Sequence, residues 1–140
     1  MGHFYGWDTA DVRDPKQHMT PRDFYDMLLD CWCVDTCAPR MQADWSPENI
    51  TLGQCSVTAF LLQDYFGGEV RGIPLADGSV HCFNVVDGCL FDLTSEQFGS
   101  TVLDYSLGVP QSREAHFAKH EKEARYHLLR ARFLARLYDL

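Results

Sequence analysis

Leu52-Gly53-Gln54-Cys55-Ser56-Val57-Thr58-Ala59-Phe60-Leu61-Leu62 is apolar almost all round from Val57 onward, and the pattern continues through Tyr65 and Phe66 until Gly67-Gly68 stops it. A helix without a polar face belongs in the middle of a domain, so this stretch predicts a buried central helix. Thr51-Leu52-Gly53-Gln54 fits the capping-box pattern, a hydroxyl cap with Gln three residues on, which sets Cys55 at the helix start.

The second informative stretch is His81-Cys82-Phe83-Asn84-Val85-Val86-Asp87-Gly88-Cys89-Leu90-Phe91-Asp92-Leu93-Thr94. Asp-Gly between two apolar runs is a strong hairpin signal, and it predicts strands at 80–86 and 89–93. A two-residue turn sets Val86 opposite Cys89, Val85 opposite Leu90, Asn84 opposite Phe91 and Phe83 opposite Asp92. Because side chains alternate along a strand, His81, Phe83, Val85, Leu90, Asp92 and Thr94 then share one face. His81 and Asp92 become diagonal neighbours, roughly 5.5–8 Å apart at Cα, within hydrogen-bonding reach.

If the central helix lies on that same face, Cys55 meets His81 and Asp92 as a thiol–imidazole–carboxylate group. The chemistry suits those residue types. A helix N-terminus stabilises a thiolate, an adjacent imidazole takes the proton, and a carboxylate orients the imidazole. Free N–H groups at the helix start stabilise an oxyanion, and the amides of Gln54 and Asn49 are candidate further donors. Trp45 is read as a shield for the site or a core residue. Each component also has a plainer role. A lone cysteine is often a small buried hydrophobe, and Asp92 in Asp92-Leu93-Thr94 can cap the following turn.

The other elements are arranged outside this core. Thr20-Pro21-Arg22-Asp23 is a good helix start, and Phe24, Met27, Leu28, Cys31 and Trp32 carry the helix to about Cys33. Residues 1–20 read as an irregular arm or a short helix, and Glu69 to Ile73 as a short strand. Residues 94–110 read as irregular, and 112–139 as one long helix capped by Ser112. The 140 residues suit one domain, with 45–98 as its motif-bearing core.

Net charge is −8, unevenly spread: residues 1–111 hold 16 acids against 5 bases, and 112–140 hold 4 against 7. An acidic body argues against nucleic acid as a partner. No apolar run reaches membrane-spanning length, and the first residues lack a secretory signal, so a cytoplasmic location is expected. The six cysteines are then expected to be reduced. Neither Cys31-x-Cys33-x3-Cys37 nor His116-x3-His120 has an established metal-site spacing, so no metal or other cofactor is expected.

Gly53-Gln54-Cys55 with Ala59-Phe60, His81-x-Phe83-Asn84, Asp87-Gly88 and Asp92-Leu93-Thr94 resemble the Gly-x-Cys, His-x-aromatic and Asp-x-Thr motifs of transglutaminase-like domains in the papain/transglutaminase superfamily. More closely, Trp45 to Phe98 resembles the YunG-like family of small bacterial proteins. Its features are a Trp-rich loop, a Gly-Gln-Cys helix ending in Gly-Gly, and a stretch completed here by Gln97-Phe98. The resemblance implies a papain/transglutaminase-like α+β fold, with a central helix on a small antiparallel sheet and helices at both ends. It also implies a Cys-His-Asp site at Cys55, His81 and Asp92. The His-to-Asp spacing is shorter than in many transglutaminase-like domains.

The expected function is that of a cysteine-dependent hydrolase or acyltransferase acting on a peptide or small-molecule amide or thioester. Two other classes compete. One is a non-catalytic module that binds a protein partner through its basic C-terminal helix; the other is a thiol-rich zinc or redox protein.

Overall fold

The computed structural model describes residues 3–139; the first two residues of the predicted arm lie outside the described residues. Among the described residues, four α-helices accompany a four-stranded antiparallel sheet: α1 Pro21–Leu28, α2 Cys55–Phe66, α3 Arg113–Phe117 and α4 His120–Leu137, with β1 Glu69–Pro74, β2 Val80–Val86, β3 Cys89–Phe91 and β4 Val109–Pro110. The strand order is β3-β2-β1-β4. The architecture is α+β.

Thr20 caps α1 as its sequence indicates: its hydroxyl accepts from Asp23 N–H, and the Asp23 carboxylate accepts from Thr20 N–H in return. The helix stops at Leu28, short of the expected Cys33: beyond it Asp30 N–H and Cys31 N–H reach back only three residues, to Met27 O and Leu28 O, in tighter turns than an α-helix makes. These turns swing the Trp32 indole inward, where it donates to Thr58 Oγ1 of α2 at 2.9 Å. The helical spacing of Cys31 and Trp32 therefore reflects burial, not a continuing helix.

Helix α2 is buried along nearly its whole length, from Val57 through Leu62 and again at Phe66. Its start differs from the sequence expectation. The capping box over 51–54 does not form; Gln54 holds the N-cap position and no side chain caps the turn. The cause is Gly53, whose φ of +71° breaks the chain direction one residue before the helix.

The hairpin pairs as read, Val86 with Cys89, Val85 with Leu90 and Asn84 with Phe91, through Asp87 and Gly88 both at positive φ. Strand β3 is shorter than expected, because beyond Phe91 the partner changes and Asp92 bridges to Tyr5 of the N-terminal arm.

The sheet face that receives α2 is the opposite of the one assumed from sequence. Cys82, Val86 and Phe91 share the main apolar core with α2, and the Asn84 amide donates to Ala59 O at 2.9 Å, fastening helix to strand. His81 and Phe83 face the other way, under residues 98–108: Phe98 meets the His81 ring edge-on and Tyr105 packs against Phe83. Arg71, opposite Phe83 in β1, donates to Gly108 O and holds that cover down.

The predicted single C-terminal helix is two. Ser112 caps α3 as read, but Lys119 is extended and breaks the run. The break lets His116 stack on Phe60 while α4 runs across the body, burying Leu129 and Phe133. No helix among the described residues is long and apolar enough to cross a membrane.

Candidate active site

The N-terminus of α2 reaches the start of β2. Cys55 Sγ lies 3.9 Å from Val80 O and lines a cavity of about 780 Å³ together with His81 and Cys82. His81 and Asp92 are each 1% exposed, and His81 Nε2 lies 2.6 Å from Asp92 Oδ2. Cys55, His81 and Asp92 are thus brought together, although the helix and the His81 side chain sit on opposite faces of the sheet. Cys55 reaches the imidazole around the end of β2.

Asp92 divides its work between two oxygens. Oδ2 meets His81 Nε2 and accepts from the Tyr105 hydroxyl, each at 2.6 Å. Oδ1 accepts from Thr94 N–H and Thr94 Oγ1 at 3.3 and 3.4 Å. The turn-capping and histidine-orienting roles therefore coexist in one side chain. Burial penalises the imidazolium, but hydrogen bonds with Asp92 and then Cys55 outweigh it and raise His81 to about 10.

The Cys55 thiol is held well below the ordinary thiol value, first by a hydrogen bond with the Cys82 thiol, then, against the cost of burial, by hydrogen bonding and charge attraction from His81. Cys82 is pushed the other way, above all by its hydrogen bond to Cys55. The thiol that is lowered is the one beside His81 and at the helix N-terminus. Because α2 has no side-chain cap, the N–H groups of its first turn stay available to a developing oxyanion.

The three other residues singled out from sequence do not line this cavity. Gln54 is fully buried and donates through Nε2 to Cys33 O at 3.0 Å, bracing the loop behind the helix start. The Trp45 indole donates to Ile50 O within its own loop. Asn49 sits in the single 3-10 turn Pro47–Asn49. Gln97 does line the cavity; it accepts from Gly53 N–H and donates to Thr94 O, tying the α2 entry to the Asp92 turn.

Tyr105 and Cys82 carry no mark of the site in the sequence, and His116 stands out there only by its spacing from His120. Nothing local marks Tyr105 within an irregular stretch. Strand alternation places Cys82 away from His81, and only the packing of α2 reveals that its face meets Cys55. Among the described residues no three His, Cys, Asp or Glu side chains cluster as metal ligands, and Cys31 and Cys37 are buried free thiols.

Fold and site together define a small α+β protein in which a half-buried cysteine and a buried His-Asp pair meet at a cavity. The chain belongs to the YunG family: the family model described as YunG protein matches residues 20–138. It is 39% identical over 87 residues to "Uncharacterized protein YunG" of Bacillus subtilis (strain 168), a match covering 62% of this chain and 73% of that one. No solved structure matches the chain.

Proposed function

We propose that the protein is a cysteine-dependent hydrolase or acyltransferase, of papain/transglutaminase-like type, acting on an amide or thioester carbonyl. The observation that carries this reading is the His81 ring, fully buried, with Nε2 on Asp92 and the Cys55 thiol drawing on the same imidazole at the rim of a cavity. In the first step the Cys55 thiolate attacks the carbonyl carbon and a C–S bond forms. The oxyanion is stabilised by the uncapped N–H groups of α2. As the intermediate collapses, the amine or thiol leaves with the proton of the His81 imidazolium. Neutral His81 then takes a proton from water or an acceptor nucleophile, which attacks the acyl carbon and releases the Cys55 thiolate. Asp92 keeps the ring oriented throughout, and Tyr105 keeps Asp92 in place.

A small neutral aryl thioester tests the first half-reaction. The expected result is an acyl adduct on Cys55 by peptide mass spectrometry, lost in Cys55→Ser and slowed by about 100-fold or more in His81→Ala. Acylation spread evenly over Cys33, Cys55 and Cys89 would sink the reading.

The basic-helix alternative finds less support. Arg125 donates to Thr36 O, Arg132 to Cys31 O, and Arg136 pairs with Asp30. Much of the positive charge of α4 is spent on the chain's own body.

A further inference from the structure

The cavity in front of Cys55 is walled on one side by α3 and α4, and that wall is cationic. Lys119, Lys122 and Arg125 line it, Arg40 lines it from the loop side, and Glu121 is its acid. This runs against a molecule whose net charge is −8. Arg125 is already engaged: it is 7% exposed, donates to Thr36 O and pairs with Glu121. Arg40 stands 3.7 Å from Asp77 at an exposed position. Lys119 and Lys122 take part in no ion pair among the described residues. Lys122 lies close enough to the reactive end of the cavity that its charge acts on both Cys82 and His116.

His116 is the second observation. It is 9% exposed, lines the same cavity, and its Nε2 is buried with no hydrogen-bond partner. Stacking on Phe60 at 4.6 Å fixes the ring. Burial, reinforced by Lys122 and Arg125, lowers its pKa to about 4, so the imidazole is neutral. A buried polar atom without a partner is destabilising, and a group that supplies the partner recovers that cost. A neutral imidazole beside Lys122 suits an oxyanion, to which a ring N–H can donate.

We infer that the substrate of Cys55 carries an anionic oxygen group, a carboxylate or a phosphate, which seats against Lys122 and Lys119 beside the His116 ring. The anionic group is a recognition handle on the substrate. It lies on the α3–α4 side of the scissile carbonyl, which faces Cys55 and the start of α2. Lys119, Lys122 and His116 are substrate-positioning residues and take no part in bond making. This inference rests on the reading of Cys55 as an ionised nucleophile.

Two alkylating reagents of similar size separate the claims. Iodoacetamide is neutral and iodoacetate carries the carboxylate; in both, the thiolate displaces iodide. The full chain is treated with each, and rate constants are read at Cys55 and at Cys33 and Cys89, thiols outside the cavity. The expected ratio of iodoacetate to iodoacetamide rates at Cys55 is about tenfold above that at the reference thiols. It should fall to their level in Lys119→Gln/Lys122→Gln, in about 1 M salt, and partly in His116→Phe.

A ratio at Cys55 equal to that at Cys33 and Cys89, or unmoved by the double substitution, overturns the anion site alone if iodoacetamide still singles out Cys55. If iodoacetamide does not single out Cys55, the nucleophile reading fails and the anion site falls with it. Competition identifies the anion. Protection of Cys55 from iodoacetamide by glutarate and not inorganic phosphate assigns a carboxylate; the reverse assigns a phosphate. Equal protection by neutral glutaramide overturns the proposal.

Discussion

At the scale of single residues, the site rests on Asp92 having two oxygens with different neighbours. Its replacement orphans three groups at once: the buried His81 ring, the Tyr105 hydroxyl and the Thr94 cap. Asp92→Ala should therefore cost about 3 kcal/mol or more in chemical denaturation. Tyr105→Phe removes one neutral donor and should cost about 1 kcal/mol, with slower acylation of Cys55 through a less firmly held His81. Charge at the thiol gives a second prediction. Cys55 is lowered and His81 raised to about 10, so thiolate and imidazolium coexist from the low Cys55 value up to about pH 10. In the proposed mechanism, Cys55 gains a proton and loses nucleophilicity below that window, and His81 loses the proton for the leaving group above it. Acyl transfer should be bell-shaped in pH, whereas alkylation by iodoacetamide should rise once and stay flat. Cys82→Ala removes the largest influence lowering Cys55 and should move that rise to higher pH.

Among the elements, the start of α2 and the short α3 decide the site. Gly53 sets the entry angle of α2 at φ +71°, and a Cβ there would sit 2.5 Å from Cys37 Sγ and 3.0 Å from Ala38 N. Gly53→Ala should cost about 1–3 kcal/mol and slow alkylation of Cys55, because the backbone must shift where the thiol is aimed. Helix α3 contributes pH dependence through His116, whose pKa is depressed from 6.5 to about 4. The unfolded chain binds this proton more readily, so the stabilisation is present above pH 6.5 and is lost as pH falls through about 4. Lys122 and Arg125 deepen the depression, while Cys55 and Glu121 oppose it. Thermal or urea melts should show stability falling by on the order of 3 kcal/mol across that window, and His116→Phe should flatten the fall. The break at Lys119 matters for the same reason: a continuous helix would not turn His116 onto Phe60.

For the whole molecule, the C-terminal segment belongs to the core. Phe133 is fully buried and stacks on Phe24 of α1, while Arg132 and Arg136 of the same helix reach Cys31 O and Asp30. Phe133→Ala should cost about 3–5 kcal/mol by denaturant titration, comparable to a central core deletion despite its place near the chain end. Local patterns carried much of this arrangement. Apolar residues all round Val57 to Phe66 can only be buried, Asp87-Gly88 permits one hairpin register, and Thr20 and Ser112 are hydroxyl caps wherever they occur. These are short-range constraints of backbone geometry and solvent exclusion, so the α+β class, α2, β2 and the adjacency of His81 to Asp92 are legible in the residues alone. Which sheet face α2 covers is a long-range packing question, and alternation along β2 leaves both faces available because Cys82 and His81 flank one another. Packing of the whole chain settles it, through the core shared with Phe91 and Val86 and the bond from Asn84 to Ala59. The same packing brought Cys55 around the strand end to His81 and placed Cys82 beside it. It also folded Tyr105 over Asp92 and set Lys119 and Lys122 on the same cavity as the thiol.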